Sequence, residues 1–252
     1  MKQFSGITIF VFAVVLILTG ACKKLPTDTS LLVLNISPYF GTDSLVLGKS
    51  YSTANGDSIS FNRASFYLSG VVLTGTDGTL LPVPGYILFT PSTGQNIIAG
   101  SVPIGTYKSI SFNVGIDPTT NHSDPGTYNS GPLAAQTPAM HFTTNATGYI
   151  FMAAEGAVDS TNNHLSPNKA FSYHIGTDSL LRTVNLPDHS VAPYTAFTAT
   201  GTKVLTVNII ADFSKLVQNV NISLQPITNT TDNVVIADSL AAHIPGMFRY
   251  SN

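Results

Sequence analysis

Short segments of alternating apolar and polar residues recur along the chain, and this pattern most constrains its fold. Each has four to ten residues, is rich in β-branched or aromatic side chains, and generally ends near Gly, Pro, Asn, Asp or Ser. The segments are 31–36, 44–47, 58–61, 64–73, 86–89, 109–114, 148–152, 171–175, 180–186 and 203–209. Alternation with a period of two is typical of β-strands that bury one face. Many short strands separated by turn residues indicate a β-sandwich.

Helical periodicity is scarce in the same sequence. Only 212–217, with Asp212 as its N-cap, and 233–243 have a helical pattern. The 252 residues show no internal repeat, and 117–138 is a long loop rich in Pro, Gly, Thr and Asn, of the kind that often carries function. We therefore predict an all-β protein: a single antiparallel β-sandwich domain over residues 31–252, with long loops and at most one or two short helices.

The N-terminus has the features of an export signal. Residues 7–18 form an apolar run of twelve residues after a positively charged start. This run is shorter than the roughly 20 residues of a membrane-spanning helix and suits a signal peptide. Small residues then precede Cys22, the only cysteine, as in a bacterial lipobox. We predict a lipoprotein signal peptide over 1–21, and a lipidated Cys22 with a polar tether over 22–30.

The alternative to a lipobox is an ordinary signal peptide that is followed by a cysteine by chance. Both kinds of signal would export the chain. The lipobox further predicts a lipoprotein of the cell envelope, held to a membrane through the lipid on Cys22. The protein would then occupy the periplasmic face of a membrane, such as the outer membrane, or the cell surface. The sequence does not decide between these two locations.

Composition excludes several function classes. Charged residues make up 10% of the chain and the formal net charge is −2, so it lacks the basic footprint of a nucleic-acid-binding protein. One cysteine cannot form an internal disulfide framework or a cysteine-only metal cluster. No Gly-x-Ser-x-Gly motif supplies a hydrolytic nucleophile. We expect neither an enzyme nor a nucleic-acid partner.

Histidine is the residue type with the most potential for metal chemistry. Neutral imidazole suits copper and zinc, and the chain has six histidines without the short spacings of a local ligand pair. His174 lies in segment 171–175, where alternation places it with Ser172 on the face opposite the apolar side chains. His141 lies just before segment 148–152. A single histidine in such a position can also be purely structural.

Several stretches taken together resemble one known family. They include 44–73 with its Phe66-Tyr67-Leu68-Ser69 run, 102–112, 115–117, 121–123, 148–151, 155–156, Tyr173-His174-Ile175-Gly176 and Met247-Phe248. In these features the chain resembles the MbnP-like family, methanobactin-associated copper-binding proteins that are abundant as lipoproteins in Bacteroidota. The resemblance covers nearly all of the mature domain.

The resemblance implies an all-β extracytoplasmic domain associated with copper. It makes His174 a copper ligand, because the family's candidate lies in the Tyr-His-Ile-Gly stretch. It also implies a dihaem peroxidase-like or copper-transport partner. In the family a tryptophan motif that such a dihaem enzyme can oxidise precedes the Gly-Tyr pair. Here Thr143 and Asn145 occupy those positions, and the chain contains no tryptophan.

Two functions remain open at this stage. The first is a copper-binding or copper-handling lipoprotein, with copper held by His174 together with His141 or His122. The second is a structural or interaction β-sandwich lipoprotein without a metal. An exposed cluster of Tyr128, Tyr194 and Phe197 would support that second function.

Glu155 is a rare acidic residue at the end of an apolar segment. A buried carboxylate needs a partner to offset its lost hydration. We expect Lys108 or Arg182 to supply it.

Overall fold

The computed structural model describes residues 28–54, 56–91, 96–144, 146–161, 166–201 and 203–251. The predicted signal peptide, Cys22 and Asn145 lie outside these residues. The chain forms strands β1 (Thr29–Phe40), β2 (Asp43–Ser44), β3 (Ser50–Ser52), β4 (Ser58–Gly75), β5 (Leu80–Phe89), β6 (Asn96–Pro103), β7 (Gly105–Val114), β8 (Ile150–Val158), β9 (Lys169–Gly176), β10 (Arg182–Asn185), β11 (Phe197–Ala199), β12 (Leu205–Asp212), β13 (Ile227–Thr228) and β14 (Phe248–Tyr250). Its α-helices are α1 (Pro118–Asn121), α2 (Phe213–Leu216) and α3 (Val234–His243).

The strands form two sheets, and the predicted all-β sandwich is confirmed. One sheet has five strands in the order β14-β12-β1-β2, with β6 also paired to β1. The other has nine, in the order β10-β7-β4-β8-β9-β13, with β3 and β5 paired to β4 and β11 paired to β7. Their facing sides share one apolar core, in which Phe66 stacks on Phe89 at 4.6 Å and meets the edge of Phe248 at 5.4 Å.

Two details differ from the sequence-based expectation. The pairs β1–β12 and β9–β13 are parallel within the predicted antiparallel sandwich. Parallel neighbours need a long crossover connection, which the intervening strands of the other sheet supply for β1 and β12. The described residues contain three short α-helices, where at most two were predicted. The additional one, α1, is a single turn that begins with Asp117 as N-cap and Pro118.

Strand β4 is longer than predicted and joins segments 58–61 and 64–73. Its pairing with β5 shifts register between Ser69 and Val71, and Gly70 has a φ of +55° there. A glycine accepts this left-handed conformation without the steric cost that a side chain adds. Strand β4 pairs with β3 and β8 near its start and with β5 and β7 near its end.

The connection between β7 and β8 folds over the outer face of the nine-stranded sheet. It covers a second apolar cluster that includes Leu133, Met140, Tyr149 and Ala153. Burial raises the pKa of the Tyr67 phenol, which therefore stays protonated and donates to Pro132 O at 2.8 Å. The predicted loop at 117–138 is confirmed, with only α1 and a 3-10 turn inside it.

The helices in the described part of the chain are too short or too polar to cross a membrane.

Candidate functional site

A row of polar side chains crosses three neighbouring strands on the outer face of the nine-stranded sheet. Arg63 of β4 lies opposite Glu155 of β8, and Glu155 lies opposite Ser172 of β9. Arg63 Nη1 donates to Glu155 Oε1 at 2.7 Å, and His174 Nε2 lies 2.8 Å from the same oxygen. His174 Nδ1 lies 2.9 Å from Asn229 Oδ1. His174 thus occupies the predicted face, with an oxygen beside each ring nitrogen.

The environment of Glu155 keeps its carboxyl group ionised. Partial burial raises the pKa, but hydrogen bonds from His174 and Arg63 and the positive charge of Arg63 outweigh that effect. The net result is a pKa below the usual range. The carboxylate can therefore act as a fixed acceptor between the two side chains.

The expected partners of Glu155 were wrong. Lys108 lies 3.9 Å from Asp188, and Arg182 lies 3.5 Å from Asp238. Arg63 takes their place because the antiparallel register of β4 and β8 sets it directly opposite Glu155. A sequence signal existed, since Arg63 is the only charged residue in β4 and Glu155 is the only one in β8.

Arg63 also fastens the end of the long loop to the sheet. Its Nη2 donates to Ala139 O at 2.6 Å and to Pro138 O at 3.3 Å. The same nitrogen lies 2.9 Å from the Met140 sulfur. Only 10% of the Arg63 side chain is exposed, so these partners replace water around a buried cation. The position of residues 138–140 therefore depends on this guanidinium.

Replacing Glu155 by glutamine should lower the free energy of unfolding by about 2 kcal/mol at pH 7, since hydrogen bonds to charged groups contribute more than neutral ones. The folded-state pKa is depressed. The stabilisation is therefore present above the unfolded-state pKa of about 4.3 and is lost as pH falls through the folded value. Urea denaturation at pH 7 and pH 3 should show the two proteins converging in acid.

Asp43→Asn is the matched control, because Asp43 forms an exposed ion pair with Lys49 at 3.4 Å. Exposed pairs of this kind contribute only about 0–1 kcal/mol. A deficit of the same size at both pH values for Glu155→Gln would contradict the proposed role of the ionised carboxylate.

His141 directly follows the loop residues that Arg63 holds, and it forms an isolated β-bridge with Tyr149. Its ring meets the Tyr149 ring edge-on at 4.9 Å, and its Nδ1 lies 2.5 Å from Phe142 O. Its Nε2 is buried and makes no hydrogen bond within the described part of the chain. His141 and Met140 both line a cavity of about 80 Å³, together with Tyr67. An imidazole nitrogen without a partner thus shares a cavity with a thioether residue.

His122 has a different environment on the loop. Its Nε2 lies 3.1 Å from Asp178 Oδ2, and 42% of its side chain is exposed. The adjacent Asn121 donates to Asp178 Oδ1 at 2.8 Å and accepts from Tyr149 N at 2.8 Å. These contacts tie the loop to the residues after β9. Over the described residues, no three His, Cys, Asp or Glu side chains come together as a potential metal site.

Tyr128, Tyr194 and Phe197, whose exposed clustering would have supported the metal-free function, belong to two separate groups. Tyr128 packs against the cluster under the long loop. Tyr194 and Phe197 instead stack on His189, at 4.6 and 4.4 Å. The sequence did not predict this stacking, because the group of rings around His189 also includes Tyr250 from the C-terminal strand β14.

Two comparisons with known proteins found a match to this chain. The model of the MbnP family matches residues 29–234. The solved structure of MbnP from Methylosinus trichosporium is similar to this chain with a TM-score of 0.57 and 14% sequence identity, over 78% of this chain and 80% of that one. At this identity the structural likeness shows the fold alone. No curated protein matches the chain. The chain belongs to the MbnP family.

Proposed function

We propose that this protein binds or carries copper at the cell envelope and is not an enzyme. Its family membership supports a copper-related role. The observation that carries the proposal is the buried Nε2 of His141, which has no hydrogen-bond partner among the described residues. Such an atom is costly to bury unless it binds something.

The donor atoms at this position suit copper in its reduced state. Imidazole binds copper well, and thioether sulfur selects Cu(I). His141 would supply the first, and Met140, which lines the same cavity, would supply the second. The Met140 sulfur already accepts from Arg63 at 2.9 Å, so copper must displace that contact. This competition should limit the affinity.

His174 and His122 remain predicted ligands of the same protein. Copper binding to His174 would have to replace Glu155 or Asn229 as a ring-nitrogen partner. Binding to His122 would have to replace Asp178 at Nε2. His141 needs no such exchange at Nε2, and we therefore rank it first.

The envelope location rests on the N-terminal sequence. Cys22, preceded by small residues and an apolar run, supports lipid anchoring. A lipid-anchored copper protein would receive copper from, or pass it to, a copper-transport partner in the same compartment. A dihaem peroxidase-like protein is the other partner that the family resemblance predicts.

Copper binding to the full-length protein in detergent tests the proposal. We expect about one Cu(I) per chain in competition with a colorimetric Cu(I) chelator, and at least a tenfold loss of affinity in His141→Ala, since an imidazole is a principal ligand for this ion. Met140→Leu should weaken binding by a smaller factor. His243→Ala is the control, because His243 Nδ1 lies against Leu216 O, at 3.0 Å.

Two other outcomes would contradict the proposed site or copper binding itself. Loss of copper in His174→Ala with full binding in His141→Ala would move the site to His174. Wild-type protein that takes up no copper would contradict copper binding altogether. The remaining function would then be that of a structural or interaction β-sandwich lipoprotein without a metal.

A further inference from the structure

The outer face of the five-stranded sheet has an apolar region at the end where β1 begins. Leu31, Ile98 and Val204 are 45%, 64% and 52% exposed there. Val33 lies opposite Ile98 in the antiparallel ladder of β1 with β6. Leu31 precedes Val33 by two positions and therefore lies on the same face of β1. These four residues form one surface, the outer apolar patch.

The parallel ladder of β1 with β12 brings Val204 to this patch. Leu32 lies opposite Leu205, so the residues before them, Leu31 and Val204, are neighbours across the two strands. Leu32 and Leu205 are buried in the core. Because successive side chains point to opposite faces of a strand, Leu31 and Val204 point outwards.

This face of the sheet has very little charge. Asp212, at the far end of β12, is the only charged residue in β1, β6 and β12. Beyond the patch the face continues with a row of amides, in which Asn35 lies opposite Asn96 of β6 and Asn208 of β12. Lys203, just before β12, is exposed. Apolar side chains bordered by amides and a lysine suit the boundary between acyl chains and lipid headgroups.

A lipid on Cys22 would hold a bilayer close to this end of the domain. Five residues separate Cys22 from Asp28. An extended chain of this length spans at most about 20 Å. Asp28 O accepts from Ile104 N at 3.3 Å, and the patch begins three residues later at Leu31. The tether therefore keeps the patch and the membrane surface at a high effective concentration.

We propose that the outer apolar patch rests on the membrane that holds the lipid of Cys22. Leu31, Ile98 and Val204 enter the boundary between the headgroups and the acyl chains. This inference rests on the lipid anchoring proposed above and adds the orientation of the domain to it.

The orientation leaves the candidate copper ligand His174 accessible from the aqueous compartment. His174 and Glu155 lie on the outer face of the nine-stranded sheet, on the opposite side of the sandwich from the patch. That face would point away from the bilayer and stay open to a partner protein.

Tryptophan reporters in the full-length lipidated protein test the membrane contact, because the chain has no tryptophan of its own. Ile98→Trp and Val204→Trp place the reporter in the patch. Leu224→Trp is the matched control, because Leu224 is 77% exposed and precedes β13 of the other sheet. The protein is incorporated into vesicles of phosphatidylethanolamine and phosphatidylglycerol, with or without lipids brominated near the headgroup. Bromine should quench the patch reporters by about half, since an interfacial face lies about 5–10 Å deep, and should leave the control nearly unchanged.

Leu31→Glu adds a charge to the patch and should lift it from the lipid. In the Val204→Trp protein, this change should reduce the quenching about twofold or more, because a carboxylate loses its hydration at the acyl boundary. Leu224→Glu in the same protein is the control and should leave the quenching unchanged.

Flotation of the vesicles separates this inference from the anchoring. Protein that does not float with the vesicles overturns the lipid anchoring and this inference with it. Protein that floats, with equal quenching of the patch and control reporters, retains the anchoring and overturns the membrane contact. Unquenched patch reporters in a dimer that Leu31→Glu abolishes would also overturn it and assign the patch to a second copy of the chain.

Discussion

Arg63→Ala should lower the free energy of unfolding by about 3 kcal/mol, since it removes the hydrogen bonds of a buried guanidinium to Glu155 and to two loop carbonyls. The Arg63 side chain is 10% exposed and that of Glu155 is 32% exposed. The variant also leaves Ala139 O without its 2.6 Å hydrogen bond. Urea denaturation followed by circular dichroism measures the change.

Lys108→Ala provides the comparison for this prediction. Lys108 and Asp188 are 3.9 Å apart, at the limit of an ion pair, and 32% and 41% of their side chains are exposed, so the cost should stay below about 1 kcal/mol. Similar costs for Arg63→Ala and Lys108→Ala would contradict the structural role of Arg63. We also expect Arg63→Ala to change copper binding, because Arg63 holds the Met140 sulfur and the loop before His141.

Gly156→Ala should destabilise the protein by about 3 kcal/mol, at the upper end of the usual cost of overpacking. A Cβ at Gly156 would lie 1.8 Å from Ser60 O and 2.9 Å from Phe61 Cα. Both contacts are with backbone atoms, so no side chain can rotate away. Strands β4 and β8 would have to separate, and Glu155 would move away from Arg63. Thermal and urea denaturation measure the loss.

Gly246→Ala is the matched control for the same substitution. A Cβ at Gly246 meets nothing within 4 Å. Its effect on the free energy of unfolding should be within about 0.5 kcal/mol, as for most substitutions that add no clash. An equally small effect of Gly156→Ala would contradict the conclusion that the close approach of β4 and β8 leaves no room for a side chain at position 156.

The local pattern predicted much of the fold. The alternation in 171–175 correctly placed His174 opposite the buried Phe171 and Tyr173. Asp212 was predicted as an N-cap, and its side chain does accept from Ser214 N. These features depend on residues a few positions apart, whose geometry the backbone fixes. The family resemblance, seen in short motifs, was also confirmed.

The candidate site was harder to predict because its contacts cross strands. Arg63 and Glu155 are far apart in the chain, and only the register of β4 against β8 brings them together. The unpartnered His141 nitrogen likewise depends on how the loop packs on Tyr149 and Tyr67. The alternation of apolar and polar residues along one segment does not specify how distant segments pair or pack.

The sequence by itself determined the strand-rich fold and the histidines available as ligands. The tertiary structure decided which partner each polar side chain has. It gave His174 a carboxylate and an amide, gave His122 a carboxylate, and left His141 Nε2 without a hydrogen bond among the described residues. The physical reason is the separation of the residues along the chain. Alternation involves residues that are neighbours in the chain, whereas hydrogen bonds and burial depend on segments that only folding brings together.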